Sequence, residues 1–146
     1  MKGATLIEVL IALAIASIVI VSVTVVSITS LSNAQYIRSS DQASKYAQEG
    51  IEIVRRIRNT NYPGFRSYSG TYCLGANART FGLPQSSCTV PNVGSFIRSV
   101  RVQQSACGAD VARATVTVSW DDGRCSGGSY CHRSDLISCL STVSPI

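Results

Sequence analysis

The sequence predicts an α+β protein in which a long N-terminal α-helix packs on a small antiparallel β-sheet clipped by disulfides. Three observations carry this. No proline precedes Pro63, and the chain up to Arg58 passes from an apolar stretch into an amphipathic one. Residues 112–120 alternate strictly between apolar and polar side chains. All six cysteines lie at position 73 or later.

The chain opens Met1-Lys2-Gly3-Ala4-Thr5-Leu6-Ile7-Glu8 and then carries no charge from Val9 to Ala34. Leu6 to Leu31 is 26 residues, about 39 Å of helix at 1.5 Å per residue, against a hydrocarbon core of about 30 Å. That run is too long for a secretory signal peptide, whose apolar core is about 7–15 residues. Lys2 ahead of the span is a cue for a cytoplasmic N-terminus. Ala12, Ala14, Ala16, Ser17, Ser22, Thr24 and Ser27 place small residues among β-branched ones, a composition that lets helices approach closely in lipid. Glu8 is the anomaly. A carboxylate in the apolar part of a bilayer costs about 2.5–3.5 kcal/mol on insertion scales, so a chain that places one there is expected to supply a partner for it.

Residues 32–58 continue as a helix. Ala43, Ala47, Gly50, Ile51, Val54 and Ile57 recur at three- and four-residue spacing, the mark of one buried face. Charged and amide side chains occupy the other side, with Glu52 and Arg56 in the favourable i,i+4 order. From Ala4 the helix would run some 55 residues, about 80 Å. Asn59-Thr60-Asn61-Tyr62-Pro63-Gly64 stops it. Arg55, Arg56 and Arg58 suit the negative end of the helix dipole and solvent, and need no nucleic acid to explain them.

Residues 59–146 form the exported domain in this reading. Residues 59–95 hold three of the four prolines and read as a long loop with one short strand, docked by Tyr62, Phe65, Tyr68, Tyr72 and Phe81. Phe96 to Gln103 is β-rich. Ala112, Ala114, Val116, Val118 and Trp120 form the inward face of the clearest strand. Asp121-Asp122-Gly123 is a turn, and Ser134 to Val143 is a third strand of the meander.

Six cysteines in a small polar domain behind an apolar anchor indicate a disulfide framework in an oxidising compartment. Fifteen pairings are open to six cysteines. Sequence proximity favours Cys73–Cys88 and Cys125–Cys131, which leaves Cys107–Cys139, joining the ends of the first and third strands of the meander. The only histidine, His132, adjoins Cys131. It reads as an exposed loop residue, in poor spacing for tetrahedral zinc.

No catalytic constellation is present. There is no G-x-S-x-G elbow, phosphate loop or dinucleotide fingerprint, and neither an enzyme activity nor a cofactor is expected. Asp121 and Asp122 are the residues a calcium ion would use, but the turn accounts for them. The formal charge is +5, or +4 if Lys2 is removed with a leader. Arg66, Arg79, Arg98, Arg101, Arg124 and Arg133 read as scattered surface cations. The same residues are those a DNA backbone would contact.

The segment Gly3-Ala4-Thr5-Leu6-Ile7-Glu8-Val9-Leu10-Ile11-Ala12-Leu13-Ala14 resembles the N-terminal cleavage and methylation signal of type IV pilins and type II secretion pseudopilins. The resemblance covers about 25 residues and is specific, because charge, glycine, carboxylate and apolar run stand at fixed distances. It implies a three-residue leader (residues 1–3) removed after Gly3 by a membrane peptidase that also methylates the amine of Ala4. It further implies that Glu8 meets the N-terminal amine of a neighbouring subunit during assembly. Residues 4–31 would be the transmembrane and assembly helix, 32–58 its amphipathic continuation and 59–146 the β domain, in the α+β ladle form of the family. The partners implied are the prepilin peptidase/methyltransferase, other pilin subunits and an inner-membrane assembly platform. The location implied is the cytoplasmic membrane in a single pass, then the extracellular pilus. Two departures stand out: Ala4 replaces the usual first phenylalanine, and the membrane segment lacks the helix-breaking proline of many major pilins. The missing proline, with the Glu8-Val9-Leu10-Ile11-Ala12-Leu13 run, leans towards the minor-pilin or minor-pseudopilin branch. A surface- or DNA-binding tip module is the alternative of a different class.

Overall fold

The computed structural model describes residues 4–123, 125 and 130–142. Helix α1 spans Ala4–Thr60, a short helix α2 spans Tyr62–Phe65, and four strands follow: β1 Gly70–Cys73, β2 Ile97–Gly108, β3 Val111–Trp120 and β4 His132–Ser141. The described residues divide between Ile37 and Arg38 into two compact units.

The first unit is the apolar part of α1. Its large side chains from Leu6 to Leu31 are all between 54% and 68% exposed. The most apolar 18-residue window has a mean hydropathy of 3.0, so this helix is long and apolar enough to cross a membrane.

The second unit is an α+β layer pair. Its sheet is antiparallel throughout, in the order β1-β2-β3-β4. Ala43, Ala47, Ile51, Val54 and Ile57 of α1 are buried, as the 3.6-residue period requires, and Ile53 widens the stripe. They pack in one core with Val100, Val102, Ala112, Ala114, Val116, Val118, Trp120 and Leu140 of the sheet. Gly50 is where helix and sheet come closest. A Cβ there would stand 2.7 Å from Cγ1 of Val116 and 3.2 Å from Cδ of Arg98. On the solvent side Glu52 pairs with Arg55 at 2.6 Å rather than with Arg56. The i,i+3 spacing serves that face as well as i,i+4.

Helix α1 ends because Asn61 leaves helical geometry (φ −148°) and its Oδ1 accepts from the Gly64 N–H at 2.9 Å, capping α2. The stretch beyond it is more ordered than a loop. Edge strand β1 pairs with β2 from Gly70↔Val102 to Cys73↔Ser99, and Gln85 bridges Thr71 on its outer side. Phe65, Tyr68, Tyr72 and Phe81 form one aromatic cluster, with ring centroids 4.8–6.5 Å apart. Tyr62 stands outside it, under the Arg58 guanidinium at 5.6 Å.

Strand β2 runs past Gln103 because it bulges. Gln103 faces Arg113 and Gly108 faces Val111, so five steps along β2 match two along β3. Ser105 takes the left-handed conformation that such an excursion needs (φ 54°). The bulge is held on both sides. Arg113 Nη2 donates to Ala106 O at 2.9 Å, and Gln104 Nε2 donates to Phe65 O and Tyr68 O at 3.0 and 2.6 Å. Strand β4 begins at His132, two residues before the expected start, because His132 still pairs with Trp120.

Candidate assembly helix and disulfide-clipped domain

In the apolar half of α1, hydroxyl groups interrupt the hydrocarbon surface, and five of them are satisfied locally. Ser17 donates to the carbonyl of Ala14, Ser22 to Ile18, Thr24 to Ile20, Ser27 to Val23 and Thr29 to Val25, all at 2.8–2.9 Å. A helix that answers its own polar groups can enter a medium without water. Glu8 differs in kind. It lies one turn into α1 with its side chain exposed. Only the first-turn N–H groups of α1, at residues 4–7, lack a carbonyl partner within the helix, and a carboxylate cannot satisfy itself on its own carbonyls as a hydroxyl does. Ala4 is the first residue of α1, and Gly3 lies outside the described residues.

In the second unit three disulfides close the sheet. Cys73–Cys88 ties the end of β1 to the following loop, with Cα atoms 5.7 Å apart. Cys125–Cys131 closes the connection between β3 and β4 at 5.5 Å. Cys107–Cys139 needs more, because it joins β2 to β4 with β3 between them. Cys139 lies opposite Arg113 of β3. The bulge carries Cys107 across that strand until the Cα atoms are 6.0 Å apart. Asp110 locks the same corner. Its carboxylate pairs with Arg66, and its carbonyl accepts from the N–H and hydroxyl of Thr142 at 2.8 and 2.9 Å.

The arginines do not form one surface. Arg98 is fully buried, contrary to its reading as a surface cation. Its Nε donates to Leu74 O at 2.9 Å, Nη1 to Tyr46 O at 3.1 Å and Nη2 to Gly75 O at 2.7 Å, with Glu49 Oε2 3.4 Å from Nη1. Burial pushes its pKa below the ordinary arginine value, and the Glu49 carboxylate offsets part of that. Asn92 clasps the same residue's backbone, accepting from its N–H and donating to its carbonyl, both at 2.8 Å. Arg98 thereby joins α1, β2 and the segment after β1. The sequence contains the signal, since Phe96, Val100 and Val102 point inward and Arg98 shares their phase. Of the others, Arg133 pairs with Asp135 at 3.3 Å, Arg79 and Arg101 are exposed, and Arg124 lies outside the described residues.

His132 is also not a free loop residue. It opens β4, its ring lies against Trp120 with centroids 5.5 Å apart, and its Nε2 is 3.1 Å from Asp122 Oδ2. Asp121 does the turn's work by accepting from the Gly123 N–H at 2.7 Å. Compared with known protein families, with curated proteins and with solved structures, the chain gives no match.

Proposed function

We infer that this chain is a structural subunit of a type IV pilus-like filament. It is inserted in the cytoplasmic membrane with its N-terminus inside, cut after Gly3, methylated on Ala4 and polymerised through the apolar half of α1. The observation that carries the reading is the uncovered apolar helix with one carboxylate, Glu8, near its start. Lipid satisfies the hydrocarbon before assembly, and neighbouring helices replace lipid afterwards. Neither satisfies Glu8. A neighbour's N-terminal ammonium does, and an ion pair formed only on docking sets axial register, as one buried polar residue does in a coiled coil.

The disulfides fit a domain that works outside the membrane, where thiols oxidise. The role is mechanical and adhesive. Mass spectrometry of filaments sheared from cells tests it. The expected result is this subunit in the filament, with a methylated N-terminus at Ala4. A mature chain beginning at Met1, or one released as a soluble monomer, overturns it.

A further inference from the structure

The turn between β3 and β4 gathers four side chains that the filament reading does not use. Asp122 follows β3, His132 opens β4, and Cys125 and Cys131 face each other between them. One ligand atom from each of the four lies within 4.8 Å of every other. The backbone explains how two successive residues, Cys131 and His132, can aim at one point. Tyr130 just before them is left-handed (φ 64°), and Cys131 precedes the first residue of β4, so the two are not bound to a strand's alternation. Trp120 backs the His132 ring, and Asp122 stands 3.1 Å from its Nε2. Cys131 is exposed, and the other three are half-buried.

Two sulfurs, an imidazole nitrogen and a carboxylate oxygen are a tetrahedral zinc donor set. While Cys125 and Cys131 are joined, their sulfurs are not thiolates and the set is incomplete. We propose that Asp122, Cys125, Cys131 and His132 form a zinc-class metal site when the disulfide is opened, so that disulfide and metal are alternative closures of the same turn. A dithiol reductant supplies two electrons and two protons to the S–S bond and becomes a disulfide itself. The two thiols then release two protons as both sulfurs bind the divalent ion. The Cα atoms of Cys125 and Cys131, 5.5 Å apart, need little rearrangement, because the two sulfurs only separate to neighbouring corners of one coordination tetrahedron. This inference stands independently of the filament reading.

The test uses the full chain in detergent micelles, reduced with dithiothreitol, desalted without air and titrated with Co²⁺ and then Zn²⁺. One Co²⁺ per chain is expected, with thiolate charge-transfer absorption that Zn²⁺ bleaches. The band disappears in the Cys125→Ser/Cys131→Ser variant, persists in Cys73→Ser/Cys88→Ser, and needs at least tenfold more Co²⁺ in His132→Ala. A second readout requires no variant. Zn²⁺ slows alkylation of Cys125 and Cys131 at least tenfold relative to the other four thiols, as mapped by mass spectrometry. A reduced wild-type chain without the band, a band surviving in Cys125→Ser/Cys131→Ser, or equal protection of all six thiols overturns the proposal.

Discussion

Replacing Arg98 by methionine tests what holds α1 to the sheet. The stem volume is kept, so the change isolates the guanidinium. Three carbonyls lose a donor: Leu74 O, Gly75 O and Tyr46 O. Leu74 O is the buried one, and a buried acceptor left unpaired costs about 1–3 kcal/mol; Gly75 O still accepts from the Ala78 N–H at 3.4 Å, and Tyr46 O lies within the ladder of α1, so these two lose less. Against this, the variant no longer desolvates a cation, a burial that already lowers the Arg98 pKa. Glu49 adds little, since its side chain is 44% exposed and 3.4 Å away, and pairs of that kind contribute about 1 kcal/mol or less. No buried charge is stranded, because Glu49 is exposed, so the net loss should be about 1–3 kcal/mol, set by the Leu74 carbonyl. The assay is urea unfolding of the oxidised full chain in nonionic micelles, followed by the fluorescence of Trp120. That residue is the only tryptophan and belongs to the core. The companion variant Glu49→Gln should cost under about 1 kcal/mol. If Arg98→Met lies within about 1 kcal/mol of wild type, or Glu49→Gln costs as much as Arg98→Met, the carbonyl clamp is not what stabilises this junction.

Gly50→Ala should destabilise by up to about 2 kcal/mol in the same assay, because overpacking against Val116 costs about 1–3 kcal/mol and the gain in helix propensity returns about 1 kcal/mol. Adding Val116→Ala should show a favourable coupling between the two sites, and strict additivity would contradict the contact. The bridges should differ by loop length: their sequence separations are 32 for Cys107–Cys139 and 6 for Cys125–Cys131. Replacing each pair by serine should cost about 4 and about 2 kcal/mol respectively on the chain-entropy estimate, and a reversed order in urea midpoints would point to native-state contacts instead. Glu8→Ala should leave membrane insertion and cleavage at wild-type levels while reducing incorporation into filaments at least tenfold. Immunoblots of the membrane and sheared-filament fractions read both, and normal incorporation would remove Glu8 from assembly.

Much of the architecture could be read from local pattern. The 3.6-residue spacing of Ala43, Ala47, Gly50, Ile51, Val54 and Ile57 needed no tertiary information, since a helix with one apolar stripe can bury it in only one way. The alternation from Ala112 to Trp120 announced its buried face for the same reason. Other features are long-range. No local rule foretells that Gln103 to Gly108 bulges, because the excursion is stabilised by Phe65, Tyr68 and Arg113, which are distant in sequence or on another strand. Arg98 was misread because charge usually means surface. Its three acceptors come from α1 and the segment after β1, and only the packed state brings them together.

Local pattern is enough to show where this chain is apolar, where its helix turns amphipathic, which strand is half-buried, and that a carboxylate stands at the head of a membrane-length run. These follow from side-chain chemistry repeated at fixed spacing along the backbone. It takes the packed chain to show that β2 reaches across β3 to join β4, that Arg98 is an internal clamp, and that ligand atoms of Asp122, Cys125, Cys131 and His132 lie within 4.8 Å of one another. Those depend on the direction in which distant side chains point, which is set when sheet and helix pack together.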